Sequence, residues 1–214
     1  MSPAPTGAAK RIALNGRPAS RRLLRACCRF GIGVTRERAP APASGELDVL
    51  LALPPGALAL LTGASGSGKS QLLQRLLQRL RDAAPEATLC DLSSIYRGSG
   101  SRSVIDLIPL PLERALRLLA LAGLADPFVL GRTAREISVG ERARFALARA
   151  LAKQRSGWML IDEFLTTLDR ETAAAVARSF RRAAREFAPE VRVVVATARE
   201  DVAEHVAPDV HVRM

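Results

Sequence analysis

The chain of 214 residues is 48% hydrophobic and 25% charged, with a formal net charge of +11 at pH 7. A length of this order suits one domain of ordinary size, able to bury about 70% of its unfolded surface without staples. Cys27, Cys28 and Cys90 are odd in number and two of them are adjacent, which excludes a disulfide framework and points to a reducing, cytoplasmic setting.

The basic charge is concentrated at the start. Residues 1–45 hold nine Lys/Arg and one acid, Glu37, a net of +8, whereas residues 46–214 hold 23 basic and 20 acidic groups, a net of +3. With early Pro, Ser and Ala and no apolar h-region, residues 1–45 read as a flexible basic arm or transit-like segment, which by neutralising phosphates would also suit nucleic acid or an acidic partner. Only Lys10, Lys69 and Lys153 are lysines, so 29 of the 32 basic residues are arginine, a bias that codon usage also explains. Next comes the most apolar window, "LDVLLALPPGALALLTGA" from Leu47 to Ala64. It contains Asp48 and is split by Pro54, Pro55 and Gly56, so it reads as two strands and not as a transmembrane segment.

Its second half leads into "TGASGSGKSQLLQRLLQRL". Ala57 to Thr62 is an apolar strand, Gly63 to Ser70 fits G-x-x-x-x-G-K-S, and Leu72, Leu73, Leu76, Leu77 and Leu80 follow at helical spacing. The backbone from Gly63 through Ala64, Ser65, Gly66, Ser67 and Gly68 curls so that N–H groups face a phosphate, and the helix N-terminus adds partial positive charge. Lys69 reaches the β/γ-phosphates and Ser70 ligates magnesium, which makes this a nucleotide site.

Further strands are expected near 88–92, 158–161, 192–197 and 209–213. Helices are expected at about 69–82, 111–122, 141–153 and 169–187, with Leu112, Ala115, Leu116 and Leu119 on one face of the second. The alternation predicts an α/β fold, a mostly parallel sheet flanked by helices. Ahead of the third helix, "REISVGERAR" makes a polar turn at Ser138 and Gly140, again suited to phosphate. The apolar strand Trp158 to Ile161 ends in Asp162 and Glu163, the first placed to hold magnesium and the second to polarise an attacking water, which favours hydrolysis over transfer. The strand Val193 to Thr197 runs into Ala198, Arg199, Glu200 and Asp201, and strand C-terminal ends are where open α/β sheets place their ligands. A solvated loop is the plainer reading of the same charges.

In this order the motifs resemble those of ABC-type ATPases. Ile137 to Glu141 resembles their "LSGGQ" signature, and "LTTLD" ending at Asp169 resembles their D-loop. A narrower likeness is to a small prokaryotic group of soluble ABC-type ATPases, some fused to a predicted acetyltransferase domain; it rests on "SVIDLIPLPLERALRLLALAGLADPFVL", "DEFLTTLDRETAAAVA", "VVVATAREDV" and "APDVHV" and covers about residues 46–213. The resemblance implies a P-loop NTPase of ABC type with an abbreviated helical signature subdomain near 100–140, binding ATP and Mg²⁺. It implies that Ser138, Gly140 and Asp169 of one copy close on the nucleotide of another, giving an ATP-dependent homodimer that works on a separate protein partner. A nucleotide-binding subunit of a membrane transporter, a nucleic-acid-linked ATPase and a non-enzymatic ATP sensor are the alternatives. In the narrower group the last segment resembles "ATTHEDL", which puts Arg199 in place of the switch histidine and implies an in-cis γ-phosphate contact. Two family features are missing. No Gln occurs between Gln78 and Gln154 to serve the loop "DLSSIYRGSGSRSVID", and no aromatic precedes the phosphate loop closely, leaving Phe30, Arg36 or Arg38 to stack on adenine.

Overall fold

The computed structural model describes residues 11–13, 20–29, 33–35, 44–81, 86–90 and 100–214. Contacts divide the chain into two units, Met1–Pro42 and Ala43–Met214. In the first, strand β1 (Arg11–Ala13) pairs in parallel with β2 (Gly33–Thr35), and helix α1 (Arg21–Arg29) lies between them in sequence. Phe30, Arg36, Arg38 and residues 91–99 of the serine- and glycine-rich loop lie outside the described residues.

The second unit opens with a correction. The stretch Ser44–Leu51 is a helix, α2, where the sequence reading expects a strand. Leu47, Leu50 and Leu53 are buried at three-residue intervals while Val49 and Leu51 face out, so the apolar side of this segment follows a helical period and not an alternation. After the Pro54–Gly56 break comes β3 (Leu58–Thr62), fully buried, then α3 (Lys69–Leu80) and β4 (Thr88–Cys90). Helices α4 (Leu112–Leu121) and the short α5 (Pro127–Leu130) lead to α6 (Val139–Lys153), β5 (Gly157–Ile161), α7 (Arg170–Phe187), β6 (Val191–Thr197), the short α8 (Ala203–Val206) and β7 (Val210–Arg213). In α4 the buried face is Ala115, Leu118 and Leu119, followed by Ala122; Leu112 and Leu116, which the sequence groups on one face with Ala115 and Leu119, are exposed. The turn is set by what α4 packs on, α6 and α7, and not by counting leucines.

All five strands of the main sheet are parallel, in the order β4-β5-β6-β3-β7. Period-two alternation sends Leu58, Leu60, Met159, Ile161, Val193 and Val195 to one face beneath α4, α6 and α7, and Ala59, Leu61, Trp158, Leu160, Val194 and Ala196 to the other beneath α2 and α3. The register pairs Thr62 with Thr197 and Ile161 with Val195, so β3, β6 and β5 end side by side. Whatever follows those three ends is therefore gathered along one edge of the molecule, at a point where β3 has β6 on one flank and β7 on the other. No helix among the described residues is long and apolar enough to cross a membrane.

Candidate functional site

The phosphate loop follows β3 directly. Gly63 is buried and Ala64, Ser65 and Gly66 are exposed, with Ser67 N–H donating to the Ala64 carbonyl at 3.1 Å to close a turn. Gly68 stands at φ 103 as the residue ahead of α3, a conformation costly for any side chain, and its carbonyl accepts from Leu72 N–H at 2.9 Å. At Gly63 a Cβ would stand 2.5 Å from the Met214 carbonyl oxygen, so the approach of the last strand also demands glycine. Lys69, 8% exposed, donates from Nζ to the carbonyls of Gly63 at 2.7 Å and Ala64 at 2.8 Å and to Ser67 Oγ at 3.2 Å. A buried amino group with three bonds is thus held inside the curl by the loop's own acceptors. Beneath it, Thr62 Oγ1 and His211 Nε2 of β7 are 2.8 Å apart. Burial first, then Arg213, pushes the His211 ring below its ordinary pKa, against an opposing pull from Glu200.

Asp162 and Glu163 follow β5 in a constrained turn. Asp162 Oδ1 accepts from Glu163 N–H at 2.9 Å, the Glu163 carbonyl accepts from Thr166 N–H at 3.3 Å and Thr166 Oγ1 at 3.0 Å, and Phe164 N–H donates to Ala196 of β6 at 2.8 Å. Glu163 and Leu165 both stand at positive φ, 53° and 57°. Such residues cost about 1–3 kcal/mol each and persist where the surroundings fix them. The effect is to leave the Glu163 side chain exposed at the sheet edge while Asp162 is half-buried beside it. Magnesium takes oxygen ligands, few of them from protein when phosphates and waters complete the set, and the Ser70 hydroxyl with the Asp162 carboxylate fits that donor chemistry.

The signature turn is built as a capping box. Ser138 Oγ accepts from Glu141 N–H at 3.2 Å and Glu141 Oε2 accepts from Ser138 N–H at 2.7 Å, so α6 begins at Val139, two residues earlier than its sequence suggests. Those bonds hold the Glu141 carboxyl below the usual carboxylate range, and they leave the Ser138 hydroxyl proton to be donated outward. Asp169 caps α7 by accepting from Thr172 N–H at 2.9 Å, which lowers its pKa in the same way. Ser138, Gly140, Leu168, Asp169 and Thr172, with Arg144 beside them, line one open cavity of about 410 Å³, into which the N-termini of both α6 and α7 face. None of Gly63–Ser70 lines it. The chain thus brings Ser138, Gly140 and Asp169 together along a cavity to which the phosphate loop contributes no lining.

Arg199 takes neither a solvated nor an outstretched position. Its Nε and Nη2 donate to the two carboxylate oxygens of Asp201 at 3.1 and 2.7 Å, and Nη1 donates to the Leu168 carbonyl, with Asp169 O at 3.4 Å. The Asp201 carboxyl is pulled below its ordinary range by this guanidinium first, while the guanidinium itself is pushed further up. A contact with the γ-phosphate from this residue requires the fork on Asp201 to open. The plainer reading of the sequence pairs Arg199 with Glu200 or Asp201, and the structure makes the partner Asp201; Glu141 as a cap is missed, although the S-x-x-E spacing from Ser138 carries that signal.

No family model matches the chain. A methionine import ATP-binding protein of Rhizobium meliloti (strain 1021) is 32% identical over 210 residues, covering 80% of this chain and 57% of the relative. Its counterpart in Bradyrhizobium diazoefficiens is 30% identical over 195 residues, covering 76% and 55%. A beta-(1→2)glucan export ATP-binding/permease protein of Brucella abortus is 29% identical over 171 residues, covering 65% and 28%. The chain therefore spans about half the length of the import proteins it matches. Among solved structures, an archaeal ribosome recycling factor in complex with a ribosomal stalk protein superposes with a TM-score of 0.52 at 20% identity, over 72% of this chain and 35% of that one. An ATP-binding cassette in a dimeric post-hydrolysis state with ADP and phosphate gives 0.50 at 21% identity, over 72% and 79%. The chain has the fold of an ABC-type ATP-binding cassette, and in sequence it is similar to ATP-binding proteins of import and export.

Proposed function

We propose that the chain binds and hydrolyses ATP as the nucleotide-binding part of a membrane transporter whose spanning portion is another chain. The phosphates lie in Gly63–Ser70, where Lys69 exchanges the loop's own carbonyls for β/γ oxygens. Ser70 and Asp162 would hold a magnesium ion, which would supply positive charge to offset that of the phosphates. Glu163 accepts a proton from the attacking water, and the water is excluded from bulk when Ser138 and Gly140 of a second copy donate to the γ-phosphate across a two-fold interface, with Asp169 on the same face. The observation that carries this reading is the separation of the two halves. Ser138, Gly140 and Asp169 line one cavity and the phosphate loop contributes nothing to it. A site that needs both halves is then completed by a second copy.

The membrane partner is supported by relatives named for import and export. A soluble ABC-type ATPase acting on a non-membrane protein is the narrower resemblance, and the same test separates the two. With Glu163→Gln and ATP, light scattering should give roughly twice the 22.9 kDa of the chain, and Lys69→Ala should remain at the single mass. The trapped dimer, drawn from detergent-solubilised membranes of the source cell, should carry an integral membrane protein. A single mass under every nucleotide condition contradicts the shared site; a dimer that retrieves only soluble protein contradicts the transporter.

A further inference from the structure

The turn from Glu163 to Asp169 is poorly held by its own backbone. Its internal bonds, Thr166 N–H to Glu163 O and Leu168 N–H to Leu165 O, are both 3.3 Å, at the long end for an amide bond, and two of its residues stand at positive φ. Something outside the turn must over-determine it. At its start Phe164 N–H does so by donating to Ala196 O at 2.8 Å, and at its end Arg199 does so from beyond β6. One guanidinium reaches the Leu168 carbonyl through Nη1 while Nε and Nη2 lock onto Asp201, and Asp201 is itself 3.7 Å from Arg170 Nε in the first turn of α7. Both members are largely covered, with side chains 19% and 26% exposed. Arg199 N–H also donates to Thr197 Oγ1 at 3.1 Å, and Thr197 stands opposite Thr62, the last strand residue before the phosphate loop.

We propose that Arg199 is a positioning residue: clamped by Asp201, it fixes the Leu168–Asp169 carbonyls and so sets the wall of the cavity that also holds Ser138 and Gly140. This rests on the shared-site reading above, but the geometry of the clamp does not. A planar fork can bridge a carboxylate and a carbonyl at once, which an imidazole with two ring nitrogens on opposite edges cannot do with three donors. The clamp links the strand end beside the phosphate loop to the face offered to a second copy, within one chain.

The clamp makes Arg199 and Asp201 one unit, and that separates it from a γ-phosphate contact. In nucleotide-free protein, amide exchange at Thr166 and Leu168 should accelerate at least about tenfold in both Arg199→Ala and Asp201→Ala, since both release the same turn. Turnover should fall about 10- to 100-fold in each, and the double variant should lose no more than either single one. If Arg199 instead serves the γ-phosphate directly, Asp201→Ala frees the guanidinium and keeps parental turnover, and that result overturns the clamp. Unchanged exchange in either variant overturns it as well. Should Asp201→Ala fail to fold, Asp201→Asn, which removes the charge and one acceptor, takes its place. If the parent chain neither pairs nor turns over, the functional reading fails while the exchange data still decide the clamp.

Discussion

Lys69 shows what a short motif can and cannot dictate. Its three donors are spent on Gly63 O, Ala64 O and Ser67 Oγ, all within six residues of it, so the loop that names the lysine also holds it. Lys69→Ala should weaken ATP binding about 10- to 100-fold, the scale of one charge-assisted contact, as read by calorimetry; an unchanged affinity removes Lys69 from the phosphate site. Glu163→Gln should bind ATP like the parent and lose about 10²- to 10⁴-fold in turnover, because an amide cannot take the proton of the attacking water. Both residues are legible in the sequence because their chemistry is set within one turn of chain. The orientation of Arg199 is not. Its position at a strand end is correctly read, yet the choice between a phosphate and Asp201 is made by a rotamer, and by a carbonyl 31 residues away at Leu168.

At the scale of elements, the parallel strands and the positions of the long helices α3, α4, α6 and α7 follow from apolar runs and helical spacing, although the buried face of α4 does not. The exception is α2. The same apolar run that makes a strand after Pro54–Gly56 makes a helix before it, and the difference lies in which residues find a core: Leu50 is fully buried while Val49 is 48% exposed. Leu47→Ala and Leu50→Ala should each cost about 2–5 kcal/mol and Val49→Ala no more than about 0.5 kcal/mol in denaturant unfolding, whereas an alternating strand would put Leu47 on the face of Val49 and opposite Leu50. The β3–β7 pair carries a pH signature. Because burial depresses the His211 pKa, the unfolded chain binds the extra proton first, so stability is retained above the ordinary value of 6.5 and falls as pH drops below it. Thermal melts between pH 8 and pH 5 should show this decline, and His211→Gln should flatten it; an equal slope in the variant assigns the decline elsewhere. The Arg199–Asp201 pair adds no titration in that range, since the Asp201 carboxyl lies below its ordinary 3.8 and contributes stability that is lost only as pH falls through that lowered value.

For the molecule as a whole, the sheet order β4-β5-β6-β3-β7 gathers the phosphate loop, Asp162–Glu163 and Arg199 behind three adjacent strand ends, while the capped starts of α6 and α7 form a separate cavity. The order of motifs along the chain announces both surfaces, but only the packing shows that the phosphate loop lines no part of the signature cavity. Gly140 offers the cleanest way to damage one surface without the fold: a Cβ there meets only Thr172 Cγ2, at 3.6 Å, and an aspartate suits the first turn of a helix. Gly140→Asp therefore puts a negative charge in the signature cavity of a folded chain, as Lys69→Ala disables the phosphate loop of another. Each variant alone should be silent in steady-state ATP hydrolysis. Mixed in equal amounts, they should recover turnover, because a pair made of one of each joins the intact phosphate loop of the first variant to the intact signature of the second. A mixture as silent as its components, under conditions where the parent is active, contradicts a site shared between two copies.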